Sequence, residues 1–208
     1  MNYQIETFCD NPQNANTYLV YTCDSCIIVD PANNLKVLQK YIGNRKIEGV
    51  LLTHGHYDHF KELKDLIKLG DFKVYMHKNA KIKLENLHSS CAIYFGEKSP
   101  TLIDEDRIQY VQDGETINLN SFKIKCWYTP GHTNCMMCYI IDDNLFSGDF
   151  LFKDGIGRTD LDTGNAVRMM QSLEVLKKQK INYHVYPGHG DGTTLNDELK
   201  YNYYLQTK

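Results

Sequence analysis

Between Val50 and His59 the chain reads Val50-Leu51-Leu52-Thr53-His54-Gly55-His56-Tyr57-Asp58-His59, an apolar run that ends in three histidines and an aspartate. Imidazoles and a carboxylate packed this densely read as metal ligands. The spacing excludes one geometry. On an α-helix, residues two apart lie about 200° apart around the axis, so His54 and His56 could not share an ion there. In extended backbone, residues two apart point the same way. The stretch is therefore predicted as a buried strand, 47–52, running into a loop that carries His54 and His56, with Gly55 permitting close backbone approach. Asp58 and His59 fall at the start of a helix predicted over 58–69, with Phe60, Leu63, Leu66 and Ile67 on one face and Gly70 as its stop.

Around this stretch the pattern alternates between strands and helices. Residues 17–29 read as a hairpin turning at Thr22-Cys23-Asp24-Ser25 and ending at Asp30-Pro31. Leu35, Leu38 and Ile42 follow an asparagine cap at helical spacing, which predicts a helix over 33–42. Short strands are predicted over 72–77, 122–129, 138–141 and 181–186, the second alternating Phe122, Ile124, Cys126 and Tyr128 with polar neighbours. Residues 79–94 read as partly helical and 96–106 as loop. Helices are predicted over 165–176, on Ala166, Met169, Met170, Leu173 and Leu176, and over 194–205, opened by a Thr194/Asp197 capping box. No linker or low-complexity tract interrupts the 208 residues, which are expected to form one domain, 1–208, of α/β type.

Four strand ends carry ligand chemistry: His54/His56/Asp58/His59, then His132 after Pro130-Gly131, Asp149 after Ser147-Gly148, and His189 after Pro187-Gly188. Imidazoles with carboxylates suit zinc, iron or manganese rather than calcium or magnesium alone. Seven ligands are too many for one tetrahedral ion and enough for two, provided one carboxylate bridges.

These motifs, Thr-His-x-His-x-Asp-His at 53–59, Thr-Pro-Gly-His-Thr at 129–133, Ser-Gly-Asp at 147–149 and Pro-Gly-His-Gly at 187–190, closely resemble those of the metallo-β-lactamase superfamily. The resemblance implies a four-layer αβ/βα sandwich with two divalent metal ions, foremost zinc, at one sheet edge. It assigns His54, His56 and His132 to the first ion, Asp58, His59 and His189 to the second, and Asp149 to both. Gly155-Ile156-Gly157-Arg158-Thr159-Asp160, with Thr193, Thr194, Glu198 and Asn202, is further similar to the glyoxalase II (hydroxyacylglutathione hydrolase) branch. That branch implies a thioesterase in which a metal-bridging water, as hydroxide, attacks a substrate such as S-D-lactoylglutathione, with Asp58 as a proton acceptor. Thiolate leaves readily, its pKa being near 8.5, so no dedicated general acid is demanded. Lactam hydrolysis is disfavoured, since the best-known β-lactamases of the superfamily carry a cysteine where Asp149 stands. Only 19 residues follow His189, so a short form is expected, without the C-terminal helical domain that supplies basic residues for glutathione.

Rival readings come from the same residues. Persulfide dioxygenases resemble the chain at His54, His132 and Asp149, which would form a single Fe(II) site of two histidines and a carboxylate. A scaffold with a decayed site, a lactonase and a nuclease complete the alternatives. The net charge of −3 gives no support for nucleic-acid or membrane partners. Without a basic-then-apolar leader the seven cysteines are expected to be reduced thiols in the cytoplasm. His77, His88 and His184 have no motif and are expected to be structural or exposed. The pairs Cys23/Cys26 and Cys135/Cys138 have zinc-site spacing, yet nothing in the pattern brings them together. Cys135 is expected close to the metals. Arg158 could meet a substrate carboxylate or brace its loop through Asp160; bracing is the expectation.

Overall fold

The computed structural model describes residues 2–206. Its first half lays down a six-stranded sheet: β1 (Gln4–Phe8), β2 (Thr17–Tyr21), β3 (Ser25–Val29), β4 (Lys46–Leu51), β5 (Lys73–Met76) and β6 (Ile108–Tyr110), neighbours in that order. The first three strands run antiparallel and β3 to β6 run parallel. The second half supplies β7 (Thr116–Asn118), β8 (Lys123–Tyr128), β9 (Met137–Ile141), β10 (Asn144–Gly148), the small hairpin β11 (Leu151–Phe152) and β12 (Gly155–Ile156), then β13 (His184–Pro187) and β14 (Thr193–Thr194). Its six-stranded sheet has the order β14-β13-β10-β9-β8-β7, with β10 and β13 parallel. The helices are α1 (Leu35–Ile42), α2 (Tyr57–Phe60), α3 (Leu63–Leu66), α4 (Lys78–Leu84), α5 (Ala166–Leu176), α6 (Leu195–Tyr201) and α7 (Tyr203–Gln206). Among the described residues no helix is long and apolar enough to cross a membrane.

Side-chain alternation stacks these elements into four layers. Along β3, Ile27 and Val29 face the second sheet, where they join Met137, Tyr139 and Ile141 of β9. Cys26 and Ile28 point the other way, into a core with Leu38 and Ile42 of α1 and Phe60 and Leu66 of the 57–66 segment. On the far face of the second sheet Cys138 and Ile140 pack with Met169, Leu173 and Leu176 of α5 and with Leu195 and Leu205. The period of two sends each strand's residues into two different cores, so both sheets are covered on both faces. The αβ/βα sandwich expected from the sequence is the fold observed.

Two predicted helices are broken, each by a polar contact that the periodicity does not carry. The segment 57–69 divides into α2, α3 and a final 3₁₀ turn, Ile67–Leu69. Its Glu62 amide donates 3.0 Å to the Pro31 carbonyl instead of continuing the helical ladder. The last helix ends at Asn202, whose extended backbone frees its side chain to donate 3.0 Å to the Gly155 carbonyl and 2.8 Å to the buried Glu198 carboxylate. Residues 79–94 are α-helical as far as Leu84 and resume as a 3₁₀ turn, Ala92–Phe95, and the predicted 181–186 strand forms from His184. Strands β6, β7 and β14 are two or three residues long, too short to show a period.

Hydrogen bonds cross between the sheets from Tyr18 to the Pro187 carbonyl, at 2.6 Å, and at the end of β4. The fully buried Tyr139 hydroxyl donates to the Leu52 carbonyl at 3.0 Å, with the Tyr75 carbonyl at 3.2 Å. The Met137 amide donates 2.7 Å to the Thr53 carbonyl. Tyr139→Phe removes the donor and leaves a buried carbonyl short of a partner. It is expected to lower stability by about 1–3 kcal/mol, read as a reduced urea midpoint with an unchanged slope.

Candidate metal centre

The functional side chains stand where strands stop. Parallel β3 and β4 end at Asp30 and at the 53–56 loop, parallel β10 and β13 end at Asp149 and at the 188–190 turn, and β8 leads to His132. All five segments meet at one edge of the sandwich, the usual place for a site in parallel sheets. Residues 54–56 are irregular and extended, and Tyr57 opens a helical turn that carries Asp58 and His59. Gly55 is required by close packing: a Cβ there would lie 2.7 Å from Lys83 Cβ. A Cβ on Gly188 would lie 2.2 Å from Asp149 Oδ1, so the 187–190 turn can close on the carboxylate only without a side chain.

Two groups of three donors result. His54, His56 and His132 present ring nitrogens within 4.8 Å of one another, and so do the donor atoms of Asp58, His59 and His189. Asp149 lies between the groups. Its Oδ1 is 3.3 Å from His59 Nε2, and its Oδ2 is 3.4 Å from His132 Nε2 and 3.6 Å from His189 Nε2. The seven residues singled out in the sequence thus form one cluster, while His77, His88 and His184 stand outside it. His77 caps α4 and stacks on Tyr128 with ring centroids 4.8 Å apart. His88 and His184 are exposed.

Hydrogen bonds behind the rings decide which nitrogen faces the centre. The carbonyls of Arg158 and Asn14 only accept, so His132 Nδ1 (2.7 Å) and His189 Nδ1 (3.0 Å) carry protons, and each ring turns its Nε2 toward the centre. Asp30 does the same for His59, whose Nδ1 donates at 2.9 Å. Asp30 also accepts from the Thr53 amide at 2.8 Å and hydroxyl at 2.6 Å. With its proton committed to Asp30, the Thr53 oxygen accepts from His54 Nδ1 at 3.0 Å. Asp30 lies near His54 and His59 in a third donor group. Its oxygens are already filled by these donors, so it orients the rings.

The inward-facing nitrogens oppose one another in pairs. His59 Nε2 and His189 Nε2 are 3.3 Å apart, and His132 Nε2 is 2.9 Å from His56 Nδ1. Two lone pairs at that distance repel unless a proton or cation lies between them. Nitrogens bound at 2.0–2.1 Å to one tetrahedral zinc are about 3.3 Å apart, so the second spacing suits a shared ion. His54 Nε2, His56 Nε2 and Asp149 Oδ1 are buried without any hydrogen-bond partner. Orphans of this kind are rare in proteins, and here a metal ion would satisfy them. The donor set fits divalent cations.

The charge states differ between the groups. Burial, reinforced by His132, pushes His56 down to about 3, and burial with neighbouring His59 holds His54 well below the ordinary histidine value. Burial also opposes charge on His59, but Asp149, Asp58 and Asp30 overcome it and raise His59 well above that value. His189 is raised against burial by its hydrogen bond to Asp58 and by Asp149. Asp58 and Asp149 lie below the usual carboxylate range, His59 outweighing the cost of burial in each. His54 and His56 are therefore neutral and ready to ligate, whereas His59 and His189 hold protons that an ion must displace.

A cleft of about 380 Å³ opens above the cluster, walled by Cys91, Phe95, Phe152, Arg158 and Leu161. The thiol beside the site is thus Cys91. Cys135, expected there, is fully buried, 3.2 Å from the Thr133 hydroxyl and packed in the core beneath the histidine loop. All seven cysteines are free, and among the described residues none belongs to a group with metal-binding geometry. Arg158 donates from Nε and Nη2 to the two oxygens of Asp160 at 2.7 and 2.8 Å, and its carbonyl orients His132. Sequence reasoning missed Asp30 as the orienting group. Its one signal was a carboxylate closing the apolar strand that pairs with β4.

Two outcomes test this organisation. Asp30→Ala is expected to weaken metal binding about 10–100-fold in chelator competition. Metal uptake near neutral pH is expected to release protons, measured by calorimetry in buffers of different ionisation enthalpy. Because His59 and His189 hold protons more tightly than ordinary histidines, affinity falls as pH is lowered.

Comparison with known proteins agrees with this geometry. A family model for the metallo-beta-lactamase superfamily matches residues 10–189. A probable metallo-hydrolase of Bacillus subtilis, YqgX, is 32% identical over 199 residues, 93% of each chain. The probable polyketide biosynthesis zinc-dependent hydrolase PksB of the same organism is 31% identical over 88% of this chain and 76% of its own. Among solved structures, the B3 metallo-beta-lactamase BLEG-1 superposes with a TM-score of 0.89 at 25% identity, covering 98% of this chain and all (100%) of its own. TTHA1623 in a di-iron-bound form superposes at 0.83 with 27% identity, covering 96% of this chain and 100% of its own. The chain belongs to the metallo-beta-lactamase superfamily, and its histidine–aspartate cluster is the metal-binding site of a metal-dependent hydrolase fold.

Proposed function

We propose that this protein is a dinuclear metal-dependent hydrolase that cleaves a thioester. The observation carrying the reading is Asp149 Oδ2 between His132 Nε2 and His189 Nε2, at 3.4 and 3.6 Å, with a three-donor group on either side. In this reading His54, His56 and His132 hold one ion, Asp58, His59 and His189 hold the other, and Asp149 touches both. Zinc is the leading candidate, with iron or manganese accommodated by the same donors. When bound, such a pair supplies an activated water and a Lewis acid for the substrate carbonyl.

The protein's own groups have distinct tasks. Asp30, the Arg158 carbonyl and the Asn14 carbonyl lock the imidazole tautomers, so donors need not reorganise during reaction. Asp58 is held ionised by His59 and His189 against the cost of burial, and it faces the cleft where it can accept a proton. Among the described residues of the cleft wall, none is placed to protonate a poor leaving group: Arg158 is tied to Asp160, and burial raises the Cys91 thiol. A thiolate, which leaves unprotonated, suits that wall better than an amine or alkoxide.

Purified protein loaded with zinc, iron or manganese is expected to bind two ions per chain and to hydrolyse S-D-lactoylglutathione or a simpler thioester. His54→Ala is expected to lower kcat/KM by at least about a hundredfold. A single iron per chain with oxygen uptake on glutathione persulfide would replace this reading by a dioxygenase. Faster turnover of a β-lactam or a lactone than of any thioester would also overturn it.

A further inference from the structure

The wall of the cleft is chemically unlike its floor. Below lie histidines and two ionised carboxylates. Beside them stand Phe95, Phe152, Leu161 and Cys91, all at least partly open to solvent, Phe95 at 40% exposure. These apolar groups are held in place. Phe95 stacks on Tyr57 with centroids 5.9 Å apart, and the Tyr57 hydroxyl donates 2.5 Å to Glu97. Phe152 meets the His189 ring edge-on at 6.0 Å. Leu161 sits beside Asp162, which holds the buried Lys83 ammonium at 3.1 Å from both its carbonyl and its carboxylate.

The cations near the cleft are spoken for. Arg158 is the one lysine or arginine among the described lining residues, and the Nε–Nη2 edge of its guanidinium engages Asp160. Lys83 is buried on Asp162 and the Ser89 carbonyl, and Lys153 lies 3.7 Å from Asp191. A substrate carboxylate would meet a cation already paired with a carboxylate, and so gain little from a charge contact. An apolar group gains by covering Phe95, Phe152 and Leu161. From this placement, and resting on the hydrolase reading above, we infer that the site takes thioesters whose acyl group is apolar and uncharged, seated against Phe95, Phe152 and Leu161.

The test holds the thiol constant and varies the acyl group, using N-acetylcysteamine thioesters of acetate, hexanoate, phenylacetate and succinate with the metal-loaded protein. The hexanoyl and phenylacetyl esters are expected to exceed the acetyl ester in kcat/KM by about tenfold or more, and the succinyl ester to fall below it. Phe95→Ala and Leu161→Ala are expected to raise KM for the hexanoyl ester about five- to tenfold, with a smaller change in kcat. Metal content identifies variants that retain the fold, and the substrate series on the unaltered chain decides if they do not. Equal rates across the series, or a preference for the succinyl ester, overturns the inference and leaves the hydrolase reading intact. Failure of every thioester, S-D-lactoylglutathione included, removes the hydrolase reading and this inference with it.

Discussion

Two pairs of ring nitrogens face each other where the sheets meet, His59 against His189 and His56 against His132. Such pairs need a proton or a cation between them, and the surrounding structure imposes them. One member of each pair comes from the loop after β4 in the first sheet. The other comes from a turn after a strand of the second. The site therefore forms only when the two sheets pack in register. The hydrogen bonds from Tyr139 to Leu52 and from Met137 to Thr53 hold that register next to the histidine loop.

Asp30 ties this constraint to the backbone. It ends β3, its φ is +50°, and its carboxylate gathers the Thr53 amide, the Thr53 hydroxyl and His59 Nδ1. One buried acid thus fixes the turn out of β4 and orients two imidazoles, His59 directly and His54 through Thr53. Carbonyls do the same for His132 and His189. The field that results is uneven: neutral His54 and His56 on one side, proton-holding His59 and His189 on the other, with Asp149 between. Glu198 and Asn202, outside the donor cluster, extend the bracing by tying the last helix to the β11–β12 hairpin that carries Phe152.

Much of this was legible in the chain. The period-two patterns at 17–29, 122–129 and 138–141, and the helical spacing at 33–42 and 165–176, depend on neighbours in sequence, and those elements formed as read. Elements failed where a distant partner intervened. The Pro31 carbonyl interrupts the 57–69 helix, and the Gly155 carbonyl with Glu198 interrupts the last one. Cys135, in the turn before β9, is buried against the Gly55 backbone beneath the histidine loop, whereas Cys91 reaches the cleft from a segment without any motif.

By itself the sequence determined the donors. Three histidines and an aspartate in six positions exclude a helical site, and the turns at 130–132, 147–149 and 187–189 supply the remaining ligands, because residue type and local spacing suffice to specify that chemistry. Tertiary structure decided how the donors are used. Which ring nitrogen is bare, which histidines hold protons, and which side chains wall the cleft all depend on groups such as Asp30, Asn14, Phe95 and Leu161. Asp30 reaches the histidine loop across 23 residues of sequence and Asn14 reaches His189 across 175. Those contacts exist only once the sheets have packed.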